Sequence, residues 1–280
     1  MNNNRTNMAD SHIPPLGDRG ANILDKIIAE KRKEITERKK VKSIADLEKD
    51  IYFSRKCISL KNNLLQSNSG IISEFKRKSP SKGWIKEGGI AAETASGYCK
   101  NGASGVSILT DFPFFGGSPE DLISARPHVD CPILRKDFMV DEYQFYEAKA
   151  MGADVILLIA AALAVSETEK FAKLAKSLGL EVLLEIHNKE ELAHINDYVD
   201  IVGVNNRNLK TFEVNLQTSK DLAKLIPDKF VKISESGISN PESVKELKKY
   251  GFKGFLMGEN FMKEENPAES LKKFINVIAP

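Results

Sequence analysis

The chain has 280 residues, of which 41% are hydrophobic, so it can bury the core of one large domain. Its formal net charge of only +2 gives no overall field that would attract nucleic acid. The three cysteines, Cys57, Cys99 and Cys131, are too few and too far apart for a disulfide framework and fit a reducing, cytoplasmic setting. The longest apolar run, residues 155–165, is too short to span a bilayer, so we expect no membrane partner.

The amino-terminal part predicts a tail followed by a helix. Residues 1–21 are rich in Asn, Ser, Pro and Gly and lack an apolar signal core, so we expect a disordered or cloning-derived tail before a single domain of residues 22–280. Residues 23–40 place Ile27 and Ile35 on one face of a 3.6-residue period and interleave glutamates with basic clusters. This pattern predicts an amphipathic helix with surface salt bridges and argues against nucleic-acid contacts.

From residue 69 onward, apolar runs typical of strands alternate with amphipathic helical stretches. Residues 155–159 are apolar throughout, as in a parallel strand buried on both faces. Eight strand–helix units predict an α/β fold, a (β/α)8 TIM barrel with an extra amino-terminal helical segment. An open doubly wound sheet is the alternative, but no glycine-rich loop follows Phe75. The predicted strands are residues 71–75, 105–109, 132–134, 155–159, 181–185, 201–204, 231–234 and 254–257. The predicted helices are residues 91–100, 119–125, 142–151, 167–178, 189–196, 216–225, 241–250 and 267–277.

Charged and amide side chains recur where the predicted strands end. Because side chains alternate along a strand, Glu74 and Lys76 share one wall. In a barrel, the carboxyl ends of the strands carry the chemistry. Any one of these residues is ordinarily an ion pair or a helix cap, but their convergence at one rim predicts an acid–base site. The residues are Glu74, Lys76, Asp111, Lys136, Asp137, Glu185, Asn205, Arg207, Glu235, Ser236, Gly258 and Glu259.

Two of these strand ends are suited to an anion. Small residues, Ser236 with Gly237 and then Gly258, follow the seventh and eighth predicted strands, where backbone N–H groups can approach a ligand. In barrels, these two loops form the recurring phosphate site. Ser79, beyond the first strand, can add a hydroxyl.

The histidines give little indication of a metal site. His187 and His194 are the only near pair and have Glu190 and Glu191 between them. We expect a solvated helix face at this pair and no metal.

The order of the motifs resembles the indole-3-glycerol phosphate synthase family of tryptophan biosynthesis. The matching stretches cover the chain from about residue 22 to its end. They are residues 23–27, 74–83, 109–111, 115–118, 134–138, 152–159, 185–187, 203–209, 234–238 and 256–259.

The resemblance implies a carboxy-lyase that converts 1-(2-carboxyphenylamino)-1-deoxyribulose 5-phosphate to indole-3-glycerol phosphate, with loss of CO2 and water. No metal or organic cofactor is implied. Carried over by position, Lys136 is the general acid that protonates the ketose carbonyl, and Glu185 takes a proton during dehydration. Glu74, Lys76 and Asn205 would position and stabilise the charged intermediates. Ser236 is also counted in the catalytic set, and its backbone is expected at the phosphate.

The resemblance also implies a substrate-binding set. An apolar wall of Phe115, Phe138 and Leu157 would hold the anthranilate ring, although these side chains could equally be core. Arg207 is expected to order the neighbouring loop or carboxylates more than to bind phosphate. The residues implied at the phosphate and the rim of the pocket are Ser79, Glu235, Gly237, Gly258 and Glu259.

Two alternatives stay open from the residues alone. A phosphosugar isomerase of the same pathway would need an aspartate and cysteine pair at strand ends, and the three cysteines are not so placed. A non-catalytic phosphate-binding barrel would leave Lys76 and Lys136 as costly buried charges without a use. We expect a small phosphorylated substrate as the partner and a monomer, with a dimer as the alternative.

Overall fold

A computed structural model describes residues 23–279, and in it eight parallel strands close into a barrel whose neighbours pair in chain order. The predicted TIM barrel is therefore confirmed. The predicted tail, residues 1–21, lies outside the described residues. Within residues 23–279, every helix is too short or too polar to cross a bilayer.

The elements alternate as the sequence pattern predicts. The barrel strands are β1 (Ile71–Phe75), β2 (Gly105–Leu109), β3 (Ile133–Lys136), β4 (Val155–Ile159), β5 (Glu181–Ile186), β6 (Ile201–Asn205), β7 (Val231–Glu235) and β8 (Phe252–Met257). The helices are α1 (Ile23–Val41), α2 (Ile44–Leu47), α3 (Leu60–Gln66), α4 (Ala91–Lys100), α5 (Phe112–Phe115), α6 (Pro119–Ala125), α7 (Tyr143–Met151), α8 (Val165–Ser177), α9 (Gln217–Ala223), α10 (Pro241–Lys248), α11 (Glu259–Met262) and α12 (Pro267–Ile278).

Two predicted elements differ from the structure for physical reasons. Strand β3 continues to Lys136, beyond the predicted end at residue 134, because Arg135 and Lys136 find carboxylate partners inside the fold. Residues 189–196 do not form an α-helix, and only a 3-10 turn at Glu190–His194 is present. A two-stranded hairpin, Lys78–Ser79 with Gly83–Trp84, extends from β1 and was not predicted.

The barrel interior is filled by aliphatic side chains, and its amino-terminal end is closed by α3. Leu60 and Leu64 of α3 are buried with the interior cluster that includes Leu134 and Leu183. Glycines make room for this plug, since a Cβ at Gly105 would lie 2.6 Å from Leu60 Cδ1. The opposite end, formed by the carboxyl ends of the strands, stays open.

The hairpin and α1 border the open end. The hairpin places the ring of Trp84 against Gly116, the left-handed residue that ends α5, where a Cβ would come within 2.8 Å of the ring. Helix α1 buries Ile35 in a cluster with Val140 and Tyr143. Both elements are therefore anchored beside the carboxyl ends of β2 and β3.

Candidate active site

A cavity of about 430 Å³ lies at the carboxyl ends of the barrel strands. The structure brings every one of the fifteen predicted catalytic and binding residues to this cavity, while their roles stay predictions. Its lining includes Glu74, Lys76, Ser79, Phe115, Lys136, Phe138, Leu157, Glu185, Asn205, Arg207, Glu235, Ser236, Gly237, Gly258 and Glu259.

The end of β1 supplies one cation and one anion to the cavity. Lys76 Nζ donates to Glu74 Oε1 at 2.6 Å, as the alternation of a strand requires for residues two apart. Glu74 also lies against the backbone of Gly258, where a Cβ would approach its Oε1 to 2.7 Å. The absence of a side chain at Gly258 therefore leaves room for the Glu74 carboxylate as well as for a ligand.

Lys136, at the end of β3, is the centre of a buried charge cluster. Its Nζ lies 2.7 Å from Glu185 Oε2 and 3.1 Å from Glu235 Oε2. Burial by itself would lower the pKa of Lys136, but Glu185, Glu235 and Glu74 together raise it well above its usual value. The lysine is thus held as an ammonium ion in a site with little water.

Glu185, at the end of β5, is held as a carboxylate. Burial would raise the pKa of Glu185, yet Lys136 and His187 lower it well below its usual value. Asn205 Nδ2 donates to the other oxygen, Oε1, at 3.1 Å. Both oxygens of this group are therefore fixed in place.

Glu235, at the end of β7, differs from Glu185 in its protonation. Burial raises the pKa of Glu235 to about 7, with Lys136 opposing and Glu185 adding to the rise. Its Oε1 has no hydrogen-bond partner among the described residues and lies over Gly203, where a Cβ would come within 2.3 Å. Near neutral pH the Glu235 carboxyl group can therefore be protonated, whereas Glu185 stays ionised.

The expected solvated helix face at His187 and His194 is wrong. His187 lies between Glu185 Oε1 at 3.3 Å and Glu191 Oε2 at 3.2 Å, and these two carboxylates outweigh burial and raise the pKa of His187 to about 10. His194 is buried against Thr168, with 2.8 Å between Nδ1 and Oγ1. Each ring has a polar partner in the protein and is not solvated. The predicted helix did not include these contacts.

One side of the cavity is built for an anion. The hydroxyl of Ser79 is buried and has no partner within the described part of the chain. Ser236 and Gly237 follow β7 with positive φ angles of 65° and 75°, a conformation that turns successive backbone N–H groups the same way. Glu259 itself is engaged with Lys82 of the hairpin at 2.6 Å, so its carboxylate is neutralised.

The opposite side is apolar and aromatic. The rings of Phe115 and Phe138 lie 6.1 Å apart at an angle of 36°, and Leu157 is buried beside the barrel interior. Arg207 lines the cavity and donates to Phe212 O at 3.2 Å in the loop after β6. Its expected role in ordering this loop stays a prediction.

Sequence reasoning missed the contribution of α1 to the site. Leu24 and Ile27 line the cavity, and the adjacent Lys31 is fully buried where a solvated salt bridge was expected. A signal existed in the sequence, because Lys31 is four residues from both Ile27 and Ile35 and therefore shares their buried face. Among residues 23–279, no group of three or more His, Cys, Asp and Glu side chains could hold a metal ion.

A parallel barrel that brings partly buried lysines and buried glutamates together at the carboxyl ends of its strands is typical of an enzyme of acid–base chemistry. Residues 24–274 match the family model described as indole-3-glycerol phosphate synthase. The chain therefore belongs to the indole-3-glycerol phosphate synthase family.

Curated relatives with that name agree with this assignment. The indole-3-glycerol phosphate synthase of Bacteroides thetaiotaomicron is 52% identical over 256 residues, which cover 91% of this chain and 98% of the relative. Those of Bordetella pertussis and Polaromonas sp. are 39% and 42% identical, and each is covered to 98% or 99% of its length. The predicted synthase, a carboxy-lyase of tryptophan biosynthesis, is confirmed.

Solved structures agree on the fold. A chain of the tryptophan synthase α2β2 complex from Pyrococcus furiosus superimposes with a TM-score of 0.55 at 17% identity, covering 76% of this chain and 97% of that one. A mutant α-subunit of the same enzyme superimposes equally well. At this identity the likeness concerns the barrel alone.

Proposed function

We propose that the protein closes the indole ring of 1-(2-carboxyphenylamino)-1-deoxyribulose 5-phosphate with Lys136 as the general acid. The observation that carries the proposal is the partly buried ammonium group of Lys136, which lines the cavity 2.7 Å from Glu185 and 3.1 Å from Glu235. A neighbouring phosphate side and a neighbouring aromatic side match the two ends of this substrate.

The first step forms the carbon–carbon bond. The ring carbon that carries the carboxylate attacks the ketone carbon, and the carbonyl oxygen takes a proton from Lys136 Nζ to become a hydroxyl. The raised pKa of Lys136 keeps the proton on nitrogen until the oxygen develops the charge of an alkoxide, which is the stronger base. The ammonium therefore stabilises the transition state more than the substrate.

The remaining steps restore the aromatic system. The carbon–carboxylate bond breaks, CO2 leaves, and its electron pair returns to the ring. The new hydroxyl then leaves as water while a proton is removed from the methylene carbon beside the ring nitrogen. Glu185, held as a carboxylate, takes this proton, and Lys76 provides the second cation needed to protonate the leaving hydroxyl.

Binding is divided between the two sides of the cavity. Ser79 and the backbone at Ser236 and Gly237 take the phosphate, since an unpaired buried hydroxyl gains a charge-assisted hydrogen bond there. Phe115 and Phe138 hold the anthranilate ring in the orientation that places its substituted carbon at the ketone.

The test is to add the carboxyphenylamino substrate to the purified protein and follow indole absorbance and fluorescence. We expect product from the parent protein and a loss of turnover of roughly 10³-fold in Lys136→Met, because general acid catalysis contributes about 10²–10⁴. Lys176→Met is the matched control, since Lys176 pairs with Asp200 outside the cavity. Turnover of Lys136→Met near the parent level would refute the role of Lys136, and a folded parent without product would refute the reaction.

We also propose that the protein acts in the cytoplasm as a monomer with one domain. The three cysteines are free thiols, which fits a reducing compartment. Light scattering after size-exclusion chromatography tests the monomer, and a dimer mass would contradict it.

A further inference from the structure

Helix α1 carries a buried cation for which the proposed mechanism has no use. The side chain of Lys31 is 0% exposed, and its Nζ lies 2.9 Å from Asp111 Oδ1 and 3.1 Å from Asp137 Oδ1. Its third partner is Glu34, one turn later on the same helix, at 2.7 Å. One ammonium group thus joins α1 to the residues that follow two neighbouring barrel strands, β2 and β3.

Each aspartate holds a different part of the aromatic side of the cavity. Asp111 caps α5 by accepting from the N–H of Phe114 at 3.1 Å, and α5 ends with Phe115. Asp137 accepts from the N–H of Phe138 at 2.9 Å. The two carboxylates that converge on Lys31 therefore fix the backbone beside the two rings.

Besides its ion pair with Lys31, Asp137 also accepts hydrogen bonds from two side chains of the barrel. Thr110 Oγ1 donates to Asp137 Oδ2 at 2.8 Å, and Arg135 Nη2 donates to it at 3.0 Å. Asp111 has no such second cation, because Lys31 is its only salt-bridge partner among the described residues. Of the two rings, Phe115 therefore depends more on Lys31.

Attachment of α1 to the barrel does not by itself explain a buried lysine. The helix is also held by Ile35 in its apolar cluster and by Arg38, which pairs with Glu147 of α7 at 3.4 Å. Removing an ammonium from water is costly, and an apolar side chain would anchor a helix at lower cost. What an apolar side chain cannot do is hold two carboxylates together.

We propose that Lys31 is a positioning residue for the aromatic half of the substrate, setting the separation of Phe115 and Phe138 through Asp111 and Asp137. Leu24 and Ile27, which precede it on α1, line the same cavity, so the helix also closes the space beside the rings. This inference rests on the proposed function, because it presumes that the rings bind an anthranilate group.

Loss of Lys31 should weaken binding of the aromatic half of the substrate but not binding of its phosphate. The rings touch the substrate before and during the reaction, so loosening them weakens ground-state and transition-state binding alike and raises KM more than it lowers kcat. Within residues 23–279, no hydrogen bond or ion pair joins Lys31, Asp111 or Asp137 to the proposed phosphate residues Ser79, Ser236 and Gly237, so phosphate binding should be unaffected. Loss of two aromatic contacts predicts roughly a tenfold rise in KM.

The experiment measures KM, kcat and the inhibition constant of inorganic phosphate for Lys31→Met, Lys31→Arg and Lys33→Met. Lys33 is the matched control, since it is exposed and, within the described part of the chain, pairs only with Glu30. We expect roughly a tenfold higher KM in Lys31→Met, a kcat within about threefold of the parent and an unchanged phosphate constant, with partial recovery in Lys31→Arg. Lys33→Met should match the parent in all three.

Unchanged KM in a folded Lys31→Met protein would overturn the inference, and so would equal rises in KM and in the phosphate constant, which indicate general distortion. If Lys31→Met does not fold, Asp111→Asn decides the question. Asparagine can still cap α5 but loses the ion pair with Lys31. We expect KM to rise and the phosphate constant to stay unchanged, and a parental KM would refute the proposal. The proposed reaction is tested by product formation in the parent protein, whereas this inference is tested by the KM of the variants. The two can therefore fail separately.

Discussion

Asp154, at the amino end of the barrel, and Glu235, at its carboxyl end, are both buried carboxyl groups, but their oxygens are satisfied differently. At the amino end, both oxygens of Asp154 are fully used, by Arg55 at 2.6 Å, Arg126 at 2.7 Å and two backbone N–H groups. At the carboxyl end, Glu235 Oε1 and the Ser79 hydroxyl have no partner within residues 23–279. Saturated charges stabilise a fold, whereas partly unsatisfied charges are available to a ligand.

The largest expected effect is on activity, at the open end. Glu185→Gln removes the base but leaves Lys136 paired with Glu235, and His187 with Glu191. We expect kcat to fall roughly 10³-fold, with the free energy of unfolding changed by no more than about 1 kcal/mol. Steady-state kinetics and urea unfolding of the same preparation check this. A variant that is inactive because it is unfolded would show that Glu185 is structural.

The corresponding substitution at the amino end of the barrel, which α3 closes, should lower stability and leave activity almost unchanged. Asp154→Asn leaves two buried guanidinium groups without their shared anion, so we expect a loss of about 3–5 kcal/mol in the free energy of unfolding. The kcat of the folded fraction should stay within about twofold, because Asp154 lies at the far end of the barrel from the cavity. Asp197→Asn, at an exposed surface pair, is the control and should unfold as the parent does. A large fall in kcat would show that Asp154 also supports catalysis, and the expected difference between the two ends of the barrel would then be wrong.

A smaller effect is expected at the phosphate side. Ser79→Ala removes a hydroxyl that has no partner among the described residues but would bond a charged oxygen of the substrate. We expect KM to rise about tenfold, with kcat and thermal stability unchanged, because a hydrogen bond to a charged group is worth about 1.5–3 kcal/mol. A fall in kcat without a change in KM would contradict the assignment to phosphate.

The smallest effect concerns the pH dependence of stability. The pKa of Glu235 is raised by burial to about 7 in the folded protein from the model-peptide value of 4.5. Between these values the folded state binds more protons than the unfolded state, so this group destabilises the fold as pH rises through 7. Glu235→Gln should therefore be more stable than the parent by about 1–3 kcal/mol above pH 7 and equal to it below pH 4.5. Urea unfolding at several pH values measures this, and a constant difference would refute it.

The sequence could predict the barrel and most of the site because both depend on local patterns. Strand β4 is apolar throughout and buried, and Glu74 and Lys76, two residues apart at the end of β1, form the expected pair. The spacing of Lys31 from Ile27 and Ile35 indicates a buried face, but two of the carboxylates that surround it, Asp111 and Asp137, are far along the chain and could not be assigned to it. His187 was misplaced because the predicted helix after β5 is only a 3-10 turn. A lysine in a basic cluster looks solvated until the fold brings anions to it.

The same long-range dependence explains the error at β3. Arg135 is fully buried and pairs with Asp137 and with Glu147 of α7, so a charged residue continues the strand. The hairpin after β1 was also missed, because its two strands have only two residues each and a Lys/Ser/Gly composition typical of a loop. Elements this short have no periodicity to detect.

Trp84 is an intrinsic fluorescence probe of the cavity. It is the only tryptophan in the sequence, and its ring rests on Gly116, directly after the cavity residue Phe115. All indole emission of the unliganded protein therefore originates at the rim of the cavity. An anthranilate group that enters the cavity is a natural acceptor for energy transfer from this ring, so substrate arrival and product departure can be timed by stopped-flow fluorescence without any label.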